Sequence, residues 1–207
     1  MVNNFNYKIY GITPETEDTE QLFDLVKSII KSGVWLIQYR NKTSSYQTRL
    51  EQVSKLLNAT ADHRYKLIVN DSIDLAKESG AHGVHLGKFD NTIEIARKTL
   101  GNEAIVGSSC YNELERAEKA QKEGADYVAF GSFFPSETKP TAVKVDIDLL
   151  SIAKKKLSVP IVAIGGITLR NGHSLVKAGA DCLAISQGLF GANNPSVEAK
   201  NFLSVFN

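Results

Sequence analysis

"KEGADYVAFGS", residues 122–132, reads as the end of a polar helix, a glycine, a small apolar residue and then a strand buried on both faces. Three other stretches repeat the pattern: "KSGVWLIQY" (31–39), "ESGAHGVHL" (78–86) and "KAGADCLAI" (177–185). Their glycines, Gly33, Gly80, Gly124 and Gly179, stand 47, 44 and 55 residues apart. At each, glycine takes the left-handed position that closes a helix, and the next residue starts the return to a sheet. An interval of that length holds two strand–helix units, so the echoes mark every second strand of a series.

Working outward, the other strands fall where that count requires them. The full set is "YKIYGIT" (7–13), "WLIQYR" (35–40), "KLIVND" (66–71), "GVHLG" (83–87), "AIVGSS" (104–109), "YVAFGS" (127–132), "PIVAIGG" (160–166) and "CLAIS" (182–186). They are rich in Val, Ile and aromatic residues, as strands of a covered parallel sheet are. Amphipathic stretches lie between them, for example 19–33, 112–124 and 146–157. Eight strands each followed by a helix predict an α/β fold, a (βα)8 TIM barrel. No linker or low-complexity stretch interrupts the series, so residues 1–207 are expected to form one catalytic domain.

The bulk composition narrows the function classes. The chain is 207 residues long, 43% hydrophobic and 23% charged, with net charge +1. That balance argues against a nucleic-acid binder and against a polybasic membrane surface. The 2 cysteines, Cys110 and Cys182, are far apart and without metal-ligand spacing, which fits a reducing compartment. The first residues, "MVNNFNYKIYG", lack the basic and apolar regions of a signal peptide, and no stretch reaches transmembrane length. A cytoplasmic protein is the expectation.

In a barrel of this kind the chemistry sits at the C-terminal ends of the strands. Those positions carry Gln38, Arg40 and Lys42 on and after strand 2, and Asn70-Asp71 on strand 3. Asp90 follows strand 4, Ser108-Ser109 end strand 5, and Ser136, Thr138 and Lys139 follow strand 6. Gly165-Gly166 end strand 7 and Ile185-Ser186 end strand 8. Three cations suit a polyanion. Two carboxylates suit Mg²⁺, which takes carboxylate and water oxygens and keeps substrate phosphates in its shell. The Gly-Gly turn brings backbone amides near an anion where barrels often bind phosphate.

Singly, each residue has a plainer reading. Asp71 is equally an N-cap for the helix that follows. Lys42 and Asp90 read as solvated loop charges, and Gly165-Gly166 as a tight turn. Arg40 among apolar residues must find a partner. His85, between Val84 and Leu86, reads as a packed, hydrogen-bonded histidine, and Trp35 and Cys182 as core. Tyr111 either lines the mouth or packs at a helix start. The function lies in their convergence at one end of the barrel.

The set of strand ends resembles the thiamine phosphate synthase family. The likeness runs through "YGIT" (10–13), "QYRNK" (38–42), "VND" (69–71), "GVHLG" with Asp90, "VGSS" (106–109), "FGSFFPSETKP" (130–140), "VAIGGIT" (162–168) and "GADCLAIS" (179–186). It implies that an aminopyrimidine methyl diphosphate loses diphosphate through a pyrimidine carbocation, which the nitrogen of a thiazole phosphate then captures. It implies Asp71 and Asp90 as Mg²⁺ ligands, and Arg40, Lys42, Asn70 and Lys139 as the diphosphate grip, with Ser109 as a further donor. Gln38 is implied at the pyrimidine, and Ser136 and Thr138 beside the thiazole. Gly166, Ile185 and Ser186 are implied at the thiazole phosphate. "SETK" (136–139) resembles a closing loop that excludes water. A homodimer is also implied.

The chain departs from the family pattern at Asn41, usually Glu, and at Lys88-Phe89, commonly Gln-Glu. It departs again at Ser136, usually Thr, and at Cys110-Tyr111, usually Thr-His. None of these removes an implied charge or metal ligand. The rival readings are a thiazole tautomerase, whose acid/base histidine falls at Tyr111, a barrel that only binds thiamine precursors, and a phosphosugar isomerase, which needs an acid/base pair absent from the strand ends.

Overall fold

The eight predicted apolar runs all form parallel strands, which close in sequence order into a barrel, the last pairing with the first. The structure is a computed structural model and describes residues 5–135 and 144–207. The strands are β1 (Ile9–Ile12), β2 (Leu36–Tyr39), β3 (Lys66–Asn70), β4 (Gly83–Leu86), β5 (Ile105–Tyr111), β6 (Tyr127–Phe130), β7 (Ile161–Ile164) and β8 (Cys182–Ile185). Around them run α1 (Thr19–Lys31), α2 (Tyr46–Leu57), α3 (Ile73–Ser79), α4 (Ile93–Leu100), α5 (Leu114–Lys122), α6 (Asp148–Lys156) and α7 (Leu169–Ala178). After β8 come the short α8 (Gln187–Phe190) and then α9 (Pro195–Ser204), where the strand–helix count predicts a single helix.

The repeated sentence in the sequence is a repeated helix ending. Gly33, Gly80, Gly124 and Gly179 have φ of 101°, 74°, 91° and 118°. At all four, the glycine amide donates to the carbonyl three residues back, and the next amide donates to the carbonyl five back, as in Ala125 to Ala120. This double bond pattern satisfies the last carbonyls of the helix and aims the chain at the sheet. Helix starts are set by Asp18, Ser45, Ser72, Thr92 and Asn194, whose side chains accept from the amide three residues on.

Strand side chains alternate between two cores. Ile9, Ile37, Leu67, Val69, Val84, Val106, Val128, Phe130, Ile161, Ala163 and Leu183 face the helices. Tyr10, Leu36, Ile68, Ile105, Tyr127, Val162 and Cys182 fill the barrel interior. Trp35 packs against the outer core and Cys182 is buried, as their sequence context predicts. The interior is tight enough to dictate residue size. A Cβ on Gly107 would lie 2.0 Å from Tyr127 Cζ, and one on Gly83 would lie 1.9 Å from the carbonyl oxygen of Ile105. Glycines on β4 and β5 therefore make room for the Tyr127 ring and for close strand approach.

β5 overruns its predicted end at Ser109 and continues to Tyr111 through a bulge in its pairing with β6. Tyr111 sits there with φ 55°, half-exposed on the strand end, so the mouth-lining reading holds and the helix-start one does not. A bulge re-aims the residues at a barrel rim.

Candidate active site

Period-2 alternation puts a polar residue above an apolar or small one on successive inward positions of several strands. Gln38 follows Leu36, Asn70 follows Ile68, His85 follows Gly83, and Ser109 follows Ile105 and Gly107. The upper layer opens into a cavity of about 200 Å³ at the C-terminal end of the barrel. Gln38, Arg40, Asn70, Ser109, Gly166, Ile185 and Ser186 all line it, together with His85 and Tyr111. Ile12, Ala129, Ile164 and Ala184 give it an apolar floor, suited to flat aromatic rings.

The two predicted carboxylates do not line the cavity but meet beside it, Asp71 directly after the lining residue Asn70 and Asp90 near Gly87, where the Tyr111 hydroxyl also lies. Asp71 and Asp90 lie within hydrogen-bonding reach of each other, and Lys42 Nζ is 2.7 Å from Asp71 Oδ2. Asp71 has φ 64°, a conformation Asp tolerates better than most residues. That turn hands the cap of α3 to Ser72, which accepts from the Leu75 amide, so the capping reading of Asp71 is excluded. Asp90 accepts from the Gly87 amide at 2.6 Å. Burial opposes ionisation of Asp71, but the hydrogen bonds from Lys42 and Asp90 outweigh it and hold the carboxyl below its usual range. Asp90 is raised, by burial first and then by its hydrogen bond to Asp71 and that group's charge, against the pull of the Gly87 amide.

This pair fits Mg²⁺. Two adjacent carboxylates leave each other partly unneutralised, and here one ammonium compensates them. Mg²⁺ commonly takes only one or two protein carboxylates and fills its octahedron with water and phosphate oxygens. Among the described residues there is no group of three or more His, Cys, Asp or Glu that could hold a metal.

Arg40 lies just past β2 and lines the cavity, its guanidinium 2.5 Å from Glu15. The expectation that this arginine needs a partner is met by a residue of the β1–α1 loop. Two residues further on, Lys42 is placed differently. It sits on Asp71 and does not line the cavity, because the chain turns after β2 and the period of two stops there. Asn41 explains why the turn is rigid. Almost fully buried, it donates to Thr16 O and Ser44 Oγ and accepts from the Ser44 amide. Its neutral amide does both jobs, which a Glu at that position could not.

Gly165 and Gly166 have φ of 105° and 58°. A Cβ on them would strike Ser132 Oγ at 2.0 Å and Pro135 O at 2.2 Å, so their absence of side chains lets the segment after β6 lie directly on the turn. Next to them the first amides of α8, those of Gln187 and Gly188, belong to residues that line the cavity and have no partner within the helix. Ser136, Thr138 and Lys139 lie outside the described residues.

Sequence reasoning missed several residues that hold the site. Arg116, on α5, donates to Ser109 O at 2.7 Å and Gly87 O at 3.1 Å, tying the ends of β4 and β5 together. Lys88 pairs with Glu113 at 2.9 Å across the same two loops. Tyr10 and Tyr127, inside two predicted strands, carry hydroxyls that reach the polar layer. His85 is hydrogen-bonded, as expected, yet it also faces the cavity.

The geometry has counterparts. A family model described as thiamine monophosphate synthase matches residues 9–189. The chain belongs to the thiamine monophosphate synthase family. It is 47% identical over 198 residues to the thiamine-phosphate synthase of Nitrosospira multiformis, covering 96% of this chain and 85% of that one. To the synthase of Nitrosomonas eutropha it is 43% identical, covering 96% and 93%. Its barrel superimposes on the thiamine phosphate pyrophosphorylase from Pyrococcus furiosus with a TM-score of 0.85 at 29% identity, over 97% of this chain and 96% of that one. A 3-hexulose-6-phosphate synthase shares the fold at TM-score 0.71 and 18% identity, which speaks to architecture alone. Membership of the synthase family makes the chain a transferase of thiamine biosynthesis, acting on small molecules. The tautomerase and isomerase readings give way to it. Among the described residues no helix is long and apolar enough to cross a membrane.

Proposed function

We propose that the chain condenses 4-amino-2-methyl-5-pyrimidinylmethyl diphosphate with a thiazole phosphate, giving thiamine phosphate and pyrophosphate. The bond between the methylene carbon and the diphosphate oxygen breaks first, its electron pair leaving with the diphosphate. The thiazole nitrogen then donates its lone pair to the carbon. The observation that carries this reading is the pairing of a compensated dicarboxylate, just beyond Asn70 of the cavity lining, with a glycine turn and a helix start that line the cavity elsewhere. Such a site suits two phosphorylated ligands with aromatic rings between them.

Asp71 and Asp90 are the residues that would hold Mg²⁺, which when bound supplies positive charge to the leaving diphosphate. Arg40, Lys42 and Asn70 are assigned to the same group, with Ser109 as a neutral donor, and their part is to stabilise charge as it develops. Gln38 orients the pyrimidine. Gly166, Ile185 and Ser186 are assigned to the thiazole phosphate, and the apolar floor excludes water that would otherwise capture the carbocation. Ser136, Thr138 and Lys139 take their roles, beside the thiazole and over the diphosphate, from the family resemblance. A homodimer is inferred on that ground too, and sedimentation would test it. Two free cysteines, both buried, suit the cytoplasm.

The test is turnover of the two substrates with Mg²⁺ or with EDTA, in the wild type and in Lys139→Ala. The expected result is metal-dependent formation of thiamine phosphate and pyrophosphate in equal amounts, lowered about a hundredfold or more in the variant. Binding of both substrates without turnover in Mg²⁺ would instead favour a barrel that only binds precursors.

A further inference from the structure

Five side chains form one continuous hydrogen-bonded line across the barrel interior beneath the cavity. Gln38 Nε2 donates to Tyr10 Oη at 2.9 Å. Tyr10 Oη is 2.9 Å from Tyr127 Oη, which is 2.9 Å from His85 Nδ1. His85 Nε2 is 2.9 Å from Ser109 Oγ. The line enters and leaves the cavity at its two ends, since Gln38 and Ser109 both line it, while Tyr10 and Tyr127 are fully buried.

Counting donors fixes its direction. A phenol has one proton. Tyr10 accepts from Gln38, and its other hydrogen-bond partner among the described residues is Tyr127. A buried hydroxyl left without an acceptor is costly, so Tyr10 donates to Tyr127. Tyr127 then donates to His85 Nδ1. A neutral imidazole that accepts at Nδ1 carries its proton on Nε2 and donates it to Ser109 Oγ. The Ser109 proton is left to point into the cavity. In the opposite direction Ser109 would give its proton to His85, and the cavity would meet only a lone pair.

We propose that Tyr10, Tyr127 and His85 are positioning residues, a relay that is set by the Gln38 amide and presents Ser109 to the ligand as a hydrogen-bond donor. The same relay obliges Gln38 to turn its carbonyl oxygen away from Tyr10. The site therefore offers an acceptor at the Gln38 end and a donor at the Ser109 end. A ligand with a donor group on its ring and an anionic oxygen on its leaving group matches both. The kinetic consequence rests on the synthase reading above. The tautomer of His85 does not, because it belongs to the free enzyme.

The experiment is ¹⁵N spectroscopy of histidine-labelled enzyme at a pH where His85 is neutral, with kinetics in parallel. The chain has 4 histidines, and the spectrum of His85→Gln assigns the resonance. Wild type is expected to show the Nε2–H tautomer. Tyr127→Phe keeps the ring and removes the hydroxyl. It is expected to mix the two tautomers and to lower kcat about tenfold, with KM for thiazole phosphate unchanged. An Nδ1–H tautomer in wild type, or a Tyr127→Phe enzyme with unaltered tautomer and kcat, overturns the relay. Should Tyr127→Phe fail to fold, the wild-type tautomer decides alone. An Nε2–H tautomer in a wild type that makes no thiamine phosphate supports the relay and removes the synthase reading.

Discussion

Single side chains at this site work mostly by fixing where others stand. Asn41 shows how. Its amide stitches Thr16, Ser44 and Gln52 into one buried network, and Gln52 Oε1 in turn receives the Tyr39 hydroxyl at 2.7 Å. Arg40 and Lys42, the cations on either side, are held by a turn that cannot shift without breaking those bonds. Asn41→Ala strands several of them in a buried place, and a cost of about 2–3 kcal/mol in stability is expected. Urea unfolding would read that cost. The same variant is expected to raise KM for the diphosphate substrate more than it lowers kcat, because ligand binding orders the loosened turn. Asn41→Asp is the informative control. It keeps the acceptor but loses the donors to Thr16 and Gln52. Near-normal stability in Asn41→Ala would mean that the network adds little beyond packing. Sequence reading had marked Asn41 only as a departure from pattern, since the partners that give it meaning are 25 and 11 residues away.

Among the elements, the repeated helix ending carries a second regularity. Two residues past the glycine, a side chain reaches back to an amide near the start of the preceding strand. His82 Nδ1 accepts from Leu67 N, Asp126 Oδ2 from Val106 N, and Asp181 Oδ2 from Ile161 N. Each acceptor satisfies an amide that the sheet leaves open at the bottom of the barrel. Arg97 and Lys154 neutralise the two aspartates. His82 is the titratable member of the set near neutral pH, and burial first, then Lys66, hold its pKa below the ordinary histidine value. The unfolded chain therefore binds the extra proton more readily. The stabilisation is complete above the unfolded value, about pH 6.5, and is lost as pH falls towards the lower folded value. Urea midpoints for wild type should drop between about pH 8 and about pH 5.5, and the drop should shrink in His82→Asn, whose side-chain oxygen accepts without titrating. An equal drop in both proteins would assign the acid sensitivity elsewhere.

For the molecule as a whole, the closed barrel brings residues from eight strands to one mouth, and ligands that bridge that mouth stabilise the fold. Binding to the native state alone raises the melting temperature by mass action. Mg²⁺ with pyrophosphate, one of the two proposed products, is expected to raise it by several degrees, and pyrophosphate with EDTA by much less. Asp71→Asn should abolish the metal-dependent part and keep a smaller response to pyrophosphate through the cations. A full response in that variant would remove Asp71 from the metal site. The experiment needs no turnover, so it tests the proposed metal-binding role of Asp71 apart from any effect on chemistry.

The amino-acid sequence by itself determined the order of elements, the barrel and most of the cavity lining. Glycine after a helix and apolar runs of strand length are local rules, and a parallel barrel places every strand end at the same mouth. Gln38, Asn70, Ser109, Gly166, Ile185 and Ser186 were found by that rule, as were the paired carboxylates. The tertiary structure decided which groups meet. That Lys42 sits on Asp71, that Glu15 holds Arg40, that Arg116 ties two strand ends and that two buried tyrosines link Gln38 to Ser109 are all consequences of closure. These contacts join residues up to 117 positions apart. Hydrogen bonds act over about 3 Å of space and leave no trace in spacing along the chain.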